Sequence, residues 1–517
     1  MQFTQSKIRI AAFAALTIAF NFLFWMEKPG INYLIYAALF LGVLIFLDPQ
    51  KLKLKYCTVS FFGVLVSLLS LLMVNSILSV IMFFVSSVLF VSFYYQQELK
   101  SLYYILPNSF LNLFYSVSEL FVKVGERSQN TSSGKKVGKW LKILIIPVII
   151  TLVFFAIYFR SNHFIEEFTI EFIQNIGEYI RNIFEHYPFL RFVFMALGAL
   201  LACFFVYYKT SNLFINFEKN QTDDIERKKL KHFFSFPLNG LKSEYRIALV
   251  TLLFLNVLLF FVNIVDIWKV WFSFNYTEGS TYSAQLHQGI YTLILSILLS
   301  IGILVYFFRG NINFLQNNKY LKWMSYAWLV QNICLAFTAF LKCLYYIHYY
   351  SLTYKRIGVL IFLLLTIFGL AMMFFKIEKR KTVYFLLRSN SWFIYLFFVA
   401  ASLVNWDAEI AEYNLSVSKG TTADYEYILS LSEKALPTLL EDKTFLAMQK
   451  ENYFGYDQFS IAHKIKRYLN VQDKVTFLSW NKSDDYLNEF FRKKGYQSDF
   501  ELQAIEEKAK NKITQTK

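Results

Sequence analysis

The chain has 517 residues, 56% hydrophobic, 20% aromatic and only 17% charged, with a formal net charge of +16. Ordinary soluble domains are about 45–50% apolar and about a quarter charged, so the composition excludes a conventional soluble domain and favours a membrane-embedded chain. Nucleic acid is not an expected partner. Residues 406–517 carry 16 Lys and Arg against 18 Asp and Glu, which leaves the positive excess in the short loops of the apolar region. That is where the positive-inside rule puts it.

In chain order, Lys7 and Arg9 precede an apolar run, Ile10 to Trp25, that lacks the small residues of a cleavage site and reads as an uncleaved first span. A second span covers 31–47. Val59 to Tyr95 is too long for one crossing at about 1.5 Å per residue and reads as two helices meeting near Asn75-Ser76. Further spans are predicted at 140–159, 189–208, 247–268, 288–308, 323–345, 357–375 and 391–405, for about eleven in all.

Six basic clusters fall on the N-terminal side of the membrane under this count: Lys7/Arg9, Lys51/Lys53/Lys55, Lys135/Lys136/Lys139, Arg227/Lys228/Lys229/Lys231, Lys319/Lys322 and Lys379/Arg380/Lys381. The expected topology therefore has the N-terminus in the cytoplasm and the C-terminus outside the cell's inner membrane. Residues 1–208 form an N-terminal membrane region of about six spans, 209–246 a basic cytoplasmic loop, 247–405 a C-terminal membrane region of about five spans, and 406–517 an extracytoplasmic tail.

Two amphipathic helices are expected near 101–125 and 164–185, lying in the interface plane or against the bundle. In the first, Leu102, Leu106, Phe110, Leu113, Val117, Leu120 and Val124 recur at helical spacing. The tail reads as short helices over Asp424–Leu440, broken by Pro437, over Tyr456–Leu469, and over Ser483–Phe491 capped by Ser483. The fold class is all-α: a polytopic helical membrane bundle with a small helical extramembrane region.

Ionisable residues at membrane depth are costly and mark candidate sites. Asp266, His287, Lys342, Arg356 and Asp407 all fall near the outer ends of second-half spans, which predicts a polar cluster beneath the tail. Asn256, Asn263 and Asp266 share one helical face. No metal site is expected, because the six histidines have no ligand spacing, and Cys57, Cys203, Cys334 and Cys343 form no CxxC pair. No cofactor motif is present either: there is no P-loop, dinucleotide fingerprint, HExxH or GxSxG.

Two segments, Tyr350-Ser351-Leu352-Thr353-Tyr354-Lys355-Arg356 and Asn405-Trp406-Asp407-Ala408-Glu409-Ile410-Ala411-Glu412-Tyr413-Asn414-Leu415, resemble a bacterial domain-of-unknown-function family of polytopic inner-membrane proteins. The shared features are a Leu-Thr-x-x-Arg step before a span and an Asn-x-Asp…Ile-Ala-x-x-Asn exit from the last one. Tyr282 to Leu293 is similar to a further family stretch, but departs from it at Ala284, His287 and Gln288. The resemblance implies a multi-pass protein over about 240–440 and draws attention to Arg356, Asp407 and Asn414.

The expected function is a non-enzymatic sensing, scaffolding or assembly component, with the bilayer as its medium and a protein partner on the tail. The alternatives are a secondary transporter or lipid-moving protein, and an enzyme acting on an outer-leaflet lipid-linked substrate.

Overall fold

The computed structural model of the protein describes residues 2–127, 189–210, 212–227, 240–272, 280–316, 318–417, 425–443 and 458–496. Its helices are α1 Gln2–Phe24, α2 Ile31–Leu47, α3 Lys55–Met73, α4 Ile77–Tyr95, α5 Leu102–Arg127, α6 Phe189–Val206, α7 Asn212–Lys219, α8 Leu241–Ile267, α9 Ser280–Phe307, α10 Lys319–Tyr350, α11 Tyr354–Glu378 and α12 Val383–Ala401. In the tail follow α13 Trp406–Val417, α14 Tyr425–Ser430, α15 Leu436–Glu441, α16 Gln458–Gln472 and α17 Lys482–Lys493. Among the described residues there is no strand, only one isolated bridge between Asp224 and Lys381.

Among the described residues, seven helices are long and apolar enough to cross a membrane, and three shorter apolar helices, Ile31–Leu47, Arg191–Val206 and Leu293–Phe307, accompany them. These ten helices overlap ten of the predicted spans, the last beginning at Val383 and ending at Ala401 where 391–405 is expected. The predicted span at 140–159 and the amphipathic helix at 164–185 lie outside the described residues. The long run divides where expected: Asn75 takes a φ of 52° and the Ser76 hydroxyl caps α4 by accepting from Ser79 N.

Contacts sort the helix ends into two faces. Turns 25–30, 74–76 and 351–353 meet the tail on one face. Segments 48–54, 96–101, 207–225 and 379–382 gather on the other, through Lys219–Glu98 at 2.5 Å and Lys381–Asp224 at 2.6 Å.

Among the described residues three large apolar cores form, beside a small cluster at Cys343 and Ile347. One, around Phe40, Leu44, Phe90 and Tyr94, belongs to α1–α4 and α6. A second, around Leu252, Ile297, Leu304 and Leu335, belongs to α8–α11. The third, in the tail, gathers Ile410, Leu436, Ile465 and Phe491 with Ile357 of α11. Helix α12 joins the first two cores: Leu386 packs in the second, while Tyr395 packs in the first and donates to Ser86 Oγ at 2.9 Å.

Helix α5 divides its apolar stripe: Leu102 is buried and Leu113 and Leu120 pack on the first core, while Leu106 and Phe110 face outward. Asn108, Ser109, Asn112 and Ser116 are buried against α4 and α6. This inward polar face is what a lipid environment demands, since polar groups find partners only inside the bundle. Asn108 Nδ2 donates to Tyr208 Oη at 2.8 Å and to Gln96 Oε1, and Ser92 pairs with Ser109 at 2.6 Å.

Two details of the tail differ from expectation. Pro437 stands in the first turn of α15, where its missing N–H is harmless, so it starts a helix instead of breaking one. Asn481, not Ser483, caps α17, its side chain accepting from Asp484 N at 2.9 Å.

Candidate functional site

The predicted polar cluster resolves into separate arrangements on the tail face. Asp266, at the end of α8, accepts from Lys342 Nζ at 3.1 Å on both carboxylate oxygens. This pair is the outermost rung of a ladder between α8 and α10. Gln331 Nε2 donates to Asn256 Oδ1 at 2.9 Å, and Asn263 Nδ2 donates to Gln331 O at 3.1 Å. The shared face of Asn256, Asn263 and Asp266 is thus the face turned to α10. Interhelical hydrogen bonds in membranes average about 0.6 kcal/mol, so the rungs set register more than they supply stability.

Arg356 and Asp407 meet elsewhere, on the turn between α10 and α11. No hydrogen bond or ion pair among the described residues joins either directly to Asp266 or Lys342. His287 lies in α9, and its side chain is outside the described residues.

The α10–α11 turn is strained. Ser351 has φ 73° and ψ 164°, a region of backbone space that only glycine adopts freely. Several side chains hold it there. The Arg356 guanidinium donates to Tyr350 O and Ser351 O and stacks on the Tyr346 ring 4.2 Å from its centroid. The buried Asn414 of α13 accepts from Leu352 N at 2.5 Å and donates to Leu352 O at 3.0 Å, as a strand would. Tyr427 Oη accepts from Tyr354 N at 2.9 Å. Asp407 accepts from Tyr354 Oη at 2.8 Å and from Ser432 Oγ at 2.5 Å, linking α11, α13 and the segment before α15.

Because Ser351 lacks a compensating glycine, Ser351→Gly is expected to stabilise the protein. Relief of about 1–3 kcal/mol of strain outweighs the about 0.5–1 kcal/mol entropic penalty of glycine. Thermal unfolding in detergent checks this, and an unchanged or lowered midpoint would refute it.

The two stretches that carry the family resemblance, 350–356 and 405–415, are therefore the two sides of one contact. A family model described as a domain of unknown function (DUF4153) matches residues 57–441. The chain belongs to this family. No curated protein and no solved structure matches the chain. The DUF4153 region ends with α15, so α16 and α17 lie beyond it, as do α1 and α2 at the other end.

Those flanking parts meet in a second contact that sequence reasoning missed. The loop at 26–30 is wrapped by the short turn Phe477–Ser479. Glu27 accepts from Thr476 N at 3.2 Å and from Ser479 Oγ at 2.5 Å, Lys28 N donates to Ser479 Oγ at 2.7 Å, and Ile31 N donates to Trp480 O at 3.0 Å. Between the two contacts, Lys434 Nζ donates to Val74 O at 2.6 Å and Asn75 O at 2.5 Å, and Lys464 Nζ to Leu429 O at 2.9 Å and Leu431 O at 2.5 Å. Each lysine caps the carbonyl end of a helix, where a cation is favoured. Lys28 Nζ lies 5.3 Å from the centre of the Tyr468 ring. No periodicity or motif marks these lysines in the sequence.

Burial holds all three lysines below the ordinary lysine pKa of 10.5, against the opposing pull of Asp484 and Glu433 on Lys28, of Asp484, Asp407 and Glu433 on Lys434, and of Glu433 and Asp407 on Lys464. Lys464 bonds only within the tail, whereas Lys28 and Lys434 lie across its contact with the bundle. In the window between the depressed values of these two and 10.5 the undocked state binds more protons than the docked one, so docking strengthens as pH rises. Tail release followed by limited proteolysis across that alkaline window is expected to diminish with pH. Release that increases with pH would contradict the assignment.

Proposed function

We propose that this DUF4153 protein is a non-catalytic sensing or assembly component of the inner membrane, with its N-terminus in the cytoplasm and its tail outside, and that docking of the tail on the bundle is its working state. The observation that carries this reading is the use of the motif residues. Arg356, Asp407 and Asn414 direct their polar groups at the 350–354 turn and the tail. A contact built on a strained turn is suited to two states, because releasing it relieves the strain.

The test is affinity purification of tagged full-length protein from mild detergent, comparing wild type with Asn414→Ala. A stoichiometric partner held by one form and lost from the other supports the reading. Recovery of both forms alone counts against it. The transporter and lipid-enzyme alternatives place their chemistry on Asp266, Arg356 and Asp407. They lose their basis if Asp266→Asn, Arg356→Ala and Asp407→Asn all keep wild-type transport or turnover in cells.

A further inference from the structure

A cavity of about 200 Å³ opens on the opposite face, lined by Arg9, Leu47, Asp48, Lys51, Tyr94 and Tyr95. It sits where α1, α2 and α4 meet the short turn Pro49–Lys53, at the edge of the apolar segments. Arg9 Nε is buried there without a hydrogen-bond partner, and no carboxylate forms an ion pair with Arg9 among the described residues. The residue is half-buried, with its guanidinium at the cavity wall. Lys51 Nζ lies 4.9 Å from the Tyr94 ring centre and 5.8 Å from that of Tyr95, and 3.6 Å from Asp48 Oδ2. The two tyrosine hydroxyls are already donating, to Leu44 O at 2.7 Å and Phe205 O at 2.9 Å. The donors left for a ligand are the Arg9 guanidinium and the Lys51 ammonium, the latter beside the Asp48 carboxylate.

We infer that this cavity binds a phosphate group, supplied by the headgroup of an anionic phospholipid in the leaflet on the N-terminal side. A planar guanidinium and an ammonium lining one cavity match phosphate oxygens. The cavity is smaller than the roughly 300–1,000 Å³ that encloses a whole drug-sized molecule, which suits a headgroup whose chains stay in the bilayer. Inorganic phosphate shares the same chemistry and is the other source. The inference does not depend on the role of the tail.

Native mass spectrometry of the full-length protein in mild detergent tests it, with phosphatidylglycerol, phosphatidylcholine of the same chains, or inorganic phosphate added. Wild type is expected to retain phosphatidylglycerol over phosphatidylcholine. Arg9→Gln and Lys51→Gln should each weaken retention about tenfold, as loss of a charged hydrogen bond implies. Arg9→Lys should fall between, and Lys53→Gln, an exposed lysine of the same turn, should change nothing. Displacement of the lipid by millimolar inorganic phosphate would support the phosphate site but assign it to the free anion. Equal retention of the two lipids overturns the inference, as does an effect of Lys53→Gln matching that of Arg9→Gln. So does an Arg9→Gln variant that loses thermal stability while keeping lipid retention, since the guanidinium would then serve only the helix ends.

Discussion

Replacing Asn414 with Asp is expected to detach the tail from the bundle. The side-chain amide is buried and makes both hydrogen bonds of the Leu352 backbone. Aspartate keeps the acceptor for Leu352 N but puts a carboxylate oxygen against Leu352 O, with no donor left for it. Loss of one buried hydrogen bond, with two acceptors then facing each other, costs about 3 kcal/mol. Asn414→Ala, which removes both bonds without adding a charge, should cost about 2 kcal/mol. Hydrogen exchange at the amides of 406–417 and of Leu352 reads the result directly. Protection equal to wild type in both variants would show that the α10–α11 turn holds without the tail.

Gly30→Val should break the second contact as severely. A Cβ at position 30 would stand 2.4 Å from Ser479 C, 2.5 Å from Ser479 O and 2.6 Å from Trp480 O. These are backbone atoms and cannot swing aside. The requirement is one of closeness, since the Gly30 φ of −177° is ordinary extended backbone. Separating the segments forfeits the Trp480 carbonyl's bond to Ile31 N and the Glu27 contacts, for about 3 kcal/mol. The Trp480 side chain is partly exposed, so its emission should shift and trypsin should reach the 474–482 segment sooner. Cleavage at the wild-type rate would mean that the turn does not rest on this loop.

The membrane helices were legible because hydrophobic length and loop charge act locally, and each span can be recognised without knowing its neighbours. Arg356, Asp407 and Asn414 were also within reach, through charge at a span boundary and the family resemblance. Their arrangement was not. Arg356 and Asp407 suggest an ion pair in one dimension, yet each bonds a different part of the same turn. Asp266 and Lys342 do pair, as the last rung of a ladder whose α8 side was visible as a helical face. The inward polar face of α5 was not legible because periodicity marks the apolar residues of a helix, whereas in a bilayer it is Asn108, Ser109, Asn112 and Ser116 that need partners inside the bundle. The Glu27 contact was beyond sequence reasoning of this kind: its partners are 452 residues apart, and neither lies on a periodic face or in a motif.

That separation has a consequence for biogenesis. At about 5–20 residues per second of synthesis, the loop after the first helix waits on the order of tens of seconds before Ser479 exists to meet it. During that interval the Glu27 carboxylate and the Ile31 amide face solvent or a chaperone, and the first helical hairpin is inserted but unfinished. A turn near the end of the described tail thus closes the first loop of the bundle. Any truncation upstream of Thr476 removes the partners of Glu27 and Ile31 and leaves the first loop of the bundle uncovered.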